Sequence, residues 1–518
     1  MAQEITFKKN ISTFSLMMTG ITSIIGSGWL LSTQKLSNIA GPAALFSWVI
    51  GMLIAMSVAL CFIEVGSSIR NAGGIGYYSK LTHGEFSGFL TSWINFLSIV
   101  IVPAIEAQAI IQYLSQLSPY FMTWYNPIIH EMTGLGIFYA FILMLFFMYI
   151  NYWSVQLFIK FNNLLTLIKF LVPLITIICL FYNGIDYGNF GSTLNEFNPF
   201  GFRAIFASVV SCGVVMSFNG FQTPMTFANE IQSPEKQLPI AVLGSIFITF
   251  ILYLLLQFVF IGALDSKLVL SGWQNIHFRS PYINLLLLAN MQVMVWVIYV
   301  SSVLAPAACG SAFLASSSRM LYALSNDKLL PQFLSFLNPK YHSPRNAVIA
   351  CTVVGCIALL LFRSWSSLVG VISILHLFSY LSAPVMVIAS RLKKLSTTNK
   401  KFSLPLAHIL APIIFIALSF LLFFSAWPLV PEMMALIIPG LMFYYYYQLK
   451  VYSIQKMLKL FFHASWIIIY FTGLNIICYF GNNLNMQTNI WSIETSSVVL
   501  TIFSYLVFIY GAYFSYEK

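Results

Sequence analysis

Two ionisable side chains and two glycine-bearing interruptions lie where the chain otherwise reads as apolar helix. Lys169 sits between Leu167-Ile168 and Phe170-Leu171, and Glu106 follows Pro103-Ala104-Ile105. A charge at mid-bilayer costs about 2.5–3.5 kcal/mol on insertion scales, so its presence invites a functional reading. Lys169 could carry a proton. The structural alternative is a lysine snorkelling to the interface. Nine residues past Lys160, it lies about 13 Å deeper at 1.5 Å per residue, too far to snorkel easily. Glu106 could carry a proton, face an ammonium group, or make an interhelical hydrogen bond as a neutral acid; the sequence leaves these open.

The interruptions are Ile25-Gly26-Ser27-Gly28-Trp29 and Ser217-Phe218-Asn219-Gly220-Phe221-Gln222. Glycine permits unusual backbone angles and exposes the peptide groups to a ligand. Close packing through small residues is the plain alternative for either one alone. Non-helical backbone at mid-depth occurs only where it is buried in protein or lines a cavity. The freed amides of a half-helix N-terminus would hold a carboxylate, and freed carbonyls an ammonium. An α-amino acid presents that pair of charges.

The elements that must position these residues are membrane helices. The 518 residues are 59% hydrophobic and 8% charged, against about a quarter charged in soluble domains. Too few charges remain to cover a soluble body, which excludes a disordered, collagen-like or nucleic-acid-binding protein despite a pI near 9.2. With about 20 residues needed per span, fourteen spans are expected near 12–37, 42–66, 87–114, 136–153, 155–182, 204–229, 239–264, 289–322, 346–362, 366–390, 406–427, 432–449, 464–480 and 495–515. With the N-terminus inside, the inside segments hold 19 Lys and Arg and the outside segments 4, with Lys35 and Lys169 within spans. That asymmetry is the positive-inside pattern and predicts two cytoplasmic termini. The interruptions fall in spans one and six. A repeat of five spans reverses its own direction through the membrane, the signature of inverted-repeat transporters, whose broken helices mark a midplane site.

Several stretches together resemble the amino acid–polyamine–organocation (APC) superfamily of transporters. They are Gly20 with Ile24-Ile25-Gly26-Ser27-Gly28-Trp29-Leu30; Phe218-Asn219-Gly220-Phe221-Gln222 followed by Ala228, Glu230, Pro234 and Pro239; Gly73-Gly74-Ile75-Gly76-Tyr77; and Ser325-Asn326-Asp327 with Pro331. Trp29 and Gln222 look closest to the bacterial aspartate–proton symporter-like branch. The resemblance covers about residues 12–390 and implies an all-α, leucine-transporter-like five-plus-five fold. Residues 1–11 would be a cytoplasmic N-terminus, 12–182 the first repeat, 204–390 the second, and 406–515 four additional spans. It also places Lys169 where sodium-coupled relatives bind an ion.

Other residues carry less. Glu64 and Glu230, near the cytoplasmic ends of spans two and six, suit a gate or a loop-anchoring ion pair. His376 reads as a hydrogen-bonded packing residue, and the seven cysteines as small buried hydrophobes. An intramembrane aspartyl protease needs two membrane aspartates, but Asp186, Asp265 and Asp327 lie in loops. His130-Glu131-Met132-Thr133-Gly134 lacks the second histidine of HExxH, and no phosphate-cradling GxxxxGK[ST] exists. No pore filter is recognisable.

The expectation is therefore not an enzyme. It is a transporter in a bacterial cytoplasmic membrane, without cofactor or metal, moving an amino acid with a proton across the lipid bilayer. Ile25, Gly26, Ser27 and Gly28 would face Phe218, Asn219, Gly220 and Gln222, with Phe221 or Phe218 as a gate. Lys169, and Glu106 if it faces the site, would handle the proton. Exchange of one amino acid for another is the alternative. An acidic substrate would want a second cation, and only Lys169 and Lys35 lie within spans.

Overall fold

The structure, a computed structural model, describes residues 12–68, 74–153, 155–226, 231–338, 343–395, 402–449, 454–483 and 490–515. Helices occupy all fourteen expected ranges. Span one is two pieces, Thr13–Ile24 and Gly28–Ala40, and span six three, Gly201–Ser211, Val214–Ser217 and Thr223–Thr226. Spans two, four, five and seven are Ala44–Ser68, Gly134–Trp153, Val155–Asn183 and Pro234–Gly262. Spans eight and nine are Gln292–Asn326 and Arg345–Leu361. Among the described residues, ten helical stretches are long and apolar enough to cross a membrane; three more, Thr13–Ile24, Leu167–Asn183 and Arg345–Leu361, are apolar but shorter. The paired segments Tyr125–Asn126 and Glu131–Met132 form a two-residue hairpin.

Span three starts earlier than expected. Helix runs from Gly74 to Val100 through a bend at Gly84 (φ 82°), then continues as Val102–Leu114 with Pro103 in its first turn. Proline is tolerated there because the first amides have no intrahelical partner. The stretch expected to be loop before residue 87 is therefore helical, and the positive φ that a glycine accepts turns it onto the span. Of the motif residues quoted above, Gly73, Ala228 and Glu230 lie outside the described residues.

Packing puts the two broken spans at the centre. The first half of span one lies along span seven, span seven along span two, and span eight along the second half of span three and span five. The last four spans are Ala407–Phe424, the pair Leu429–Ala435 and Ile438–Gln448, Ile454–Gly481, and Ile493–Ile509 continued by the π-helical turn Tyr510–Phe514. They pack on spans two, three, six and ten.

Besides apolar packing, their attachment has polar anchors. Span ten, Trp365–Tyr380 and Ser382–Leu392, ends in Arg391, whose Nε and Nη2 donate to Glu64 Oε1 and Oε2 at 2.6 and 2.9 Å. The same carboxylate accepts the Leu404 amide at 2.7 Å, and Arg391 Nη2 donates to the Leu404 carbonyl at 2.8 Å. Of the two roles open to Glu64, it takes that of anchor, tying spans two and ten to the segment entering span eleven. Glu64→Ala leaves Arg391 without its bidentate partner. We expect a loss of about 3 kcal/mol, the low end for a broken buried pair, because Arg391 keeps 26% of its side chain in solvent. It is measured as a lower Tm of the purified protein; an unchanged Tm would remove the anchoring role.

Candidate substrate site

Breaking span one frees carbonyls at the end of its first half and amides at the start of its second. Side chains from three other spans meet them. Lys169 Nζ of span five donates to the Thr22 carbonyl at 3.3 Å, and Tyr253 Oη of span seven to the Ile24 carbonyl at 3.2 Å. A lysine at a helix C-terminus also faces the negative end of the helix dipole. On the other side, the Ser27 amide donates to the Glu106 carboxylate, 3.0 Å to Oε2 and 3.3 Å to Oε1. Trp365 Nε1 of span ten donates to Ser27 Oγ at 3.3 Å. Ser27, Glu106 and Lys169 are all buried.

Span six is interrupted twice, at Gly213 (φ 84°) and Gly220 (φ 104°). A Cβ on Gly220 would sit 2.5 Å from the Ser23 carbonyl oxygen. The two broken helices therefore touch through backbone, a contact that only glycine allows there. A Cβ on Gly26 would likewise sit 2.6 Å from Glu106 Oε1 and 2.9 Å from Cys309 Sγ.

Where the two breaks meet they enclose a cavity of about 10 Å³, at the lower limit for one water. Gly26, Gly28, Glu106, Ser217 and Asn219 line it, joined by Ser23, Ile24 and Met216 from the broken helices and by Val102, Cys309 and Phe313. Among the described residues, Ser217 Oγ and Asn219 Nδ2 have no hydrogen-bond partner. Donors, an acceptor carboxylate and close backbone thus converge on one occluded point, and the site must open to admit anything larger than water.

The other expected residues stand behind this wall. Ile25 and Ser27 are buried in the turn itself. Phe218 packs its ring on Trp48 and Tyr253, at 6.1 and 5.9 Å between centroids, and Phe221 on Tyr380 at 5.7 Å. Gln222 is half-buried, its Nε2 without a hydrogen-bond partner among the described residues. Lys169 does not line the cavity; it faces Cys309 and Glu106 across the end of the first half of span one. Sequence reasoning did not place Ser23, Ile24, Val102, Met216, Ser217, Cys309 or Phe313 in the site, and of these Cys309 also faces Glu106 and Lys169. Its signal was the small-residue run Ala305-Pro306-Ala307-Ala308-Cys309-Gly310-Ser311 in span eight, which lets that helix come close. His376 donates from Nδ1 to the Ile372 carbonyl at 2.9 Å, and its ring lies 5.7 Å from Tyr380.

A family model described as amino acid permease matches residues 11–449. The chain is 35% identical over 515 residues to the glutamate/serine transporter AimA of Bacillus subtilis, covering 98% of this chain and 94% of that protein. It is 28% identical over 498 residues to the aspartate-proton symporter of the same organism, with 94% of each covered. The branched-chain amino acid permease BcaP, also of Bacillus subtilis, is 24% identical over 472 residues, 86% of this chain and 94% of that one.

The contact at Gly220 has a direct control. Gly220→Ala forces a residue with a side chain into left-handed backbone, worth about 1–3 kcal/mol, and pushes its Cβ onto the Ser23 carbonyl. Gly134→Ala adds a carbon with nothing within 4 Å. We expect the first to lower the Tm of the purified protein by several degrees and the second to leave it unchanged. Equal Tm values would mean that spans one and six do not touch at this point.

Proposed function

The chain belongs to the amino acid permease family, and on that premise we propose that it couples amino acid uptake to the inward movement of a proton. It is an integral membrane protein of a bacterial membrane and an amino acid transporter. The two broken helices suit alternating access around a fixed midplane site, with residues 12–182 and 204–390 as the inverted halves. The excess of Lys and Arg on one side supports cytoplasmic termini in the cytoplasmic membrane. Two of these relatives, 35% and 28% identical, are named for glutamate and serine and for aspartate, and small polar or acidic amino acids are the proposed substrates here.

The observation that carries the coupling is the Glu106 carboxylate on the Ser27 amide. That amide opens the second half of span one, the seat that the half-helix N-terminus offers to a substrate carboxylate. While Glu106 is ionised, it fills the seat with the chain's own carboxylate. A protonated Glu106 is a weaker acceptor and would repel no second carboxylate, so taking up a proton frees the amide for substrate. The cavity then turns inward, substrate and proton leave, and the ionised Glu106 returns to Ser27 for the reset. Ser217 and Asn219, with polar atoms unpartnered at the cavity wall, would contact the bound amino acid. Lys169 holds the end of the first half of span one and the positive charge that faces Glu106. Its role is to favour loss of the proton once substrate has gone.

The test is uptake of labelled glutamate, aspartate and serine into proteoliposomes under an imposed pH gradient, a sodium gradient, or internal unlabelled amino acid. We expect accumulation with the pH gradient alone; uptake only against internal amino acid would establish exchange instead. Glu106→Gln should keep exchange but lose at least about tenfold of the pH-driven accumulation. Separately, Lys169→Met should abolish accumulation while leaving substrate binding detectable. Normal accumulation by either variant would remove that residue from the proton pathway.

A further inference from the structure

One cation within a span has no part in the site. Lys35 is half-buried in the second half of span one and has no ion-pair partner among the described residues. It lies seven residues past Gly28, so it shares that glycine's helix face about 10 Å further out. Ser32 lies between them on the same face. Opposite this stripe runs span six: Ser217 against Gly28, Gly213 against Ser32 and Cys212 against Lys35. Ser32 and Ser217 both have hydroxyls without partners among the described residues. A seam of small and polar groups therefore leads from the cavity to Lys35, closed at its inner end by Trp365, which touches both Ser27 and Gly213.

At the outer end the loops supply more nitrogen. The hairpin between spans three and four places His130, in left-handed backbone (φ 54°), against His277, with ring centroids 5.4 Å apart. Burial first, then the nearby charges of Lys35 and His277, hold His130 below its ordinary pKa. Two side chains of span one fix the loop that carries His277: Asn38 Nδ2 donates to the Ile276 carbonyl at 3.0 Å, and Gln34 Oε1 accepts the Phe278 amide at 3.2 Å. The hairpin's own carboxylate, Glu131, and Arg279 both face Tyr125. The outer end of the seam thus brings a lysine near two imidazoles, and among the described residues no ion pair neutralises the lysine.

We propose that Lys35, flanked by His130 and His277, forms an outer subsite that captures the side-chain carboxylate of a dicarboxylic amino acid before it reaches the cavity. The inference rests on the transport reading above and on its orientation. A charge here raises the local concentration of an anionic substrate at a low-dielectric mouth, and a zwitterion without a side-chain charge gains little. The subsite discriminates by charge outside, while the cavity binds the α-amino acid group common to all substrates.

The experiment compares labelled glutamate and serine uptake in proteoliposomes containing wild type, Lys35→Gln or Lys35→Arg. For Lys35→Gln, KM for glutamate should rise about tenfold with kcat unchanged, and the salt dependence of glutamate uptake should weaken. Serine uptake should not move, which also shows that the variant is folded. Lys35→Arg should restore glutamate. Equal losses for both substrates, no loss for either, or a wild type that carries serine but not glutamate would each overturn the subsite and leave the transport reading standing. A wild type that moves no amino acid would bring down both.

Discussion

A helix interrupted inside a bilayer leaves backbone amides and carbonyls with no water to turn to, and each unmet group costs several kcal/mol. Span one meets that demand with side chains. Glu106 takes the Ser27 amide, Lys169 the Thr22 carbonyl and Tyr253 the Ile24 carbonyl. These three residues come from spans three, five and seven, so a single break fixes the relative positions of four helices. The ionisable residues of the membrane interior are thus structural partners of the backbone as well as candidates for moving protons. The two roles are compatible because a group that moves in function must have somewhere defined to rest.

Much of this was legible in the sequence. Apolar runs of membrane length and the Lys and Arg asymmetry located the spans, since both follow from the thickness and charge preferences of a bilayer. Glycine placed both breaks, because Gly220 is needed where backbone approaches backbone, Gly26 where it approaches a carboxylate and Gly28 where it approaches the Ser217 side chain. Partners were not legible. That Lys169 reaches a carbonyl 147 positions away, or that Ser27 pairs with Glu106, depends on helix packing, which periodicity cannot specify when spans are apolar on all sides. Cys309 escaped notice for the same reason: on an apolar helix, one small buried residue looks like any other until its neighbours are known. The helical start of span three was hidden by glycines that usually signal a loop, and Gly84 serves there as a bend.

The last four spans carry no motif, yet they are not loosely added. Three histidines from different spans converge on the final turn. His83 Nε2 donates to the Gly511 carbonyl at 2.9 Å, His463 Nδ1 to the Ser515 carbonyl at 3.0 Å, and His408 Nδ1 lies 3.1 Å from Tyr513 Oη. Near the opposite end of the bundle, Arg203 of span six reaches Asn482 at 2.5 Å. Together with the Glu64–Arg391 pair, these contacts fasten the extra helices to spans two, three, six and ten. Apolar surfaces have no reason to prefer one another over lipid, so such polar pairs supply the specificity of the attachment.

In the proposed cycle, the carboxylate resting on Ser27 acts as a competitor built into the chain. A tethered ligand competes at a high effective concentration that never dilutes, so a visiting substrate is opposed even at infinite dilution of everything else. Its apparent affinity is reduced by the fraction of time the tether is seated. Affinity at such a site is therefore a dial rather than a constant. In the proposed cycle acidity would turn that dial from within the polypeptide, and the concentration range over which the carrier responds would travel with the pH of its surroundings.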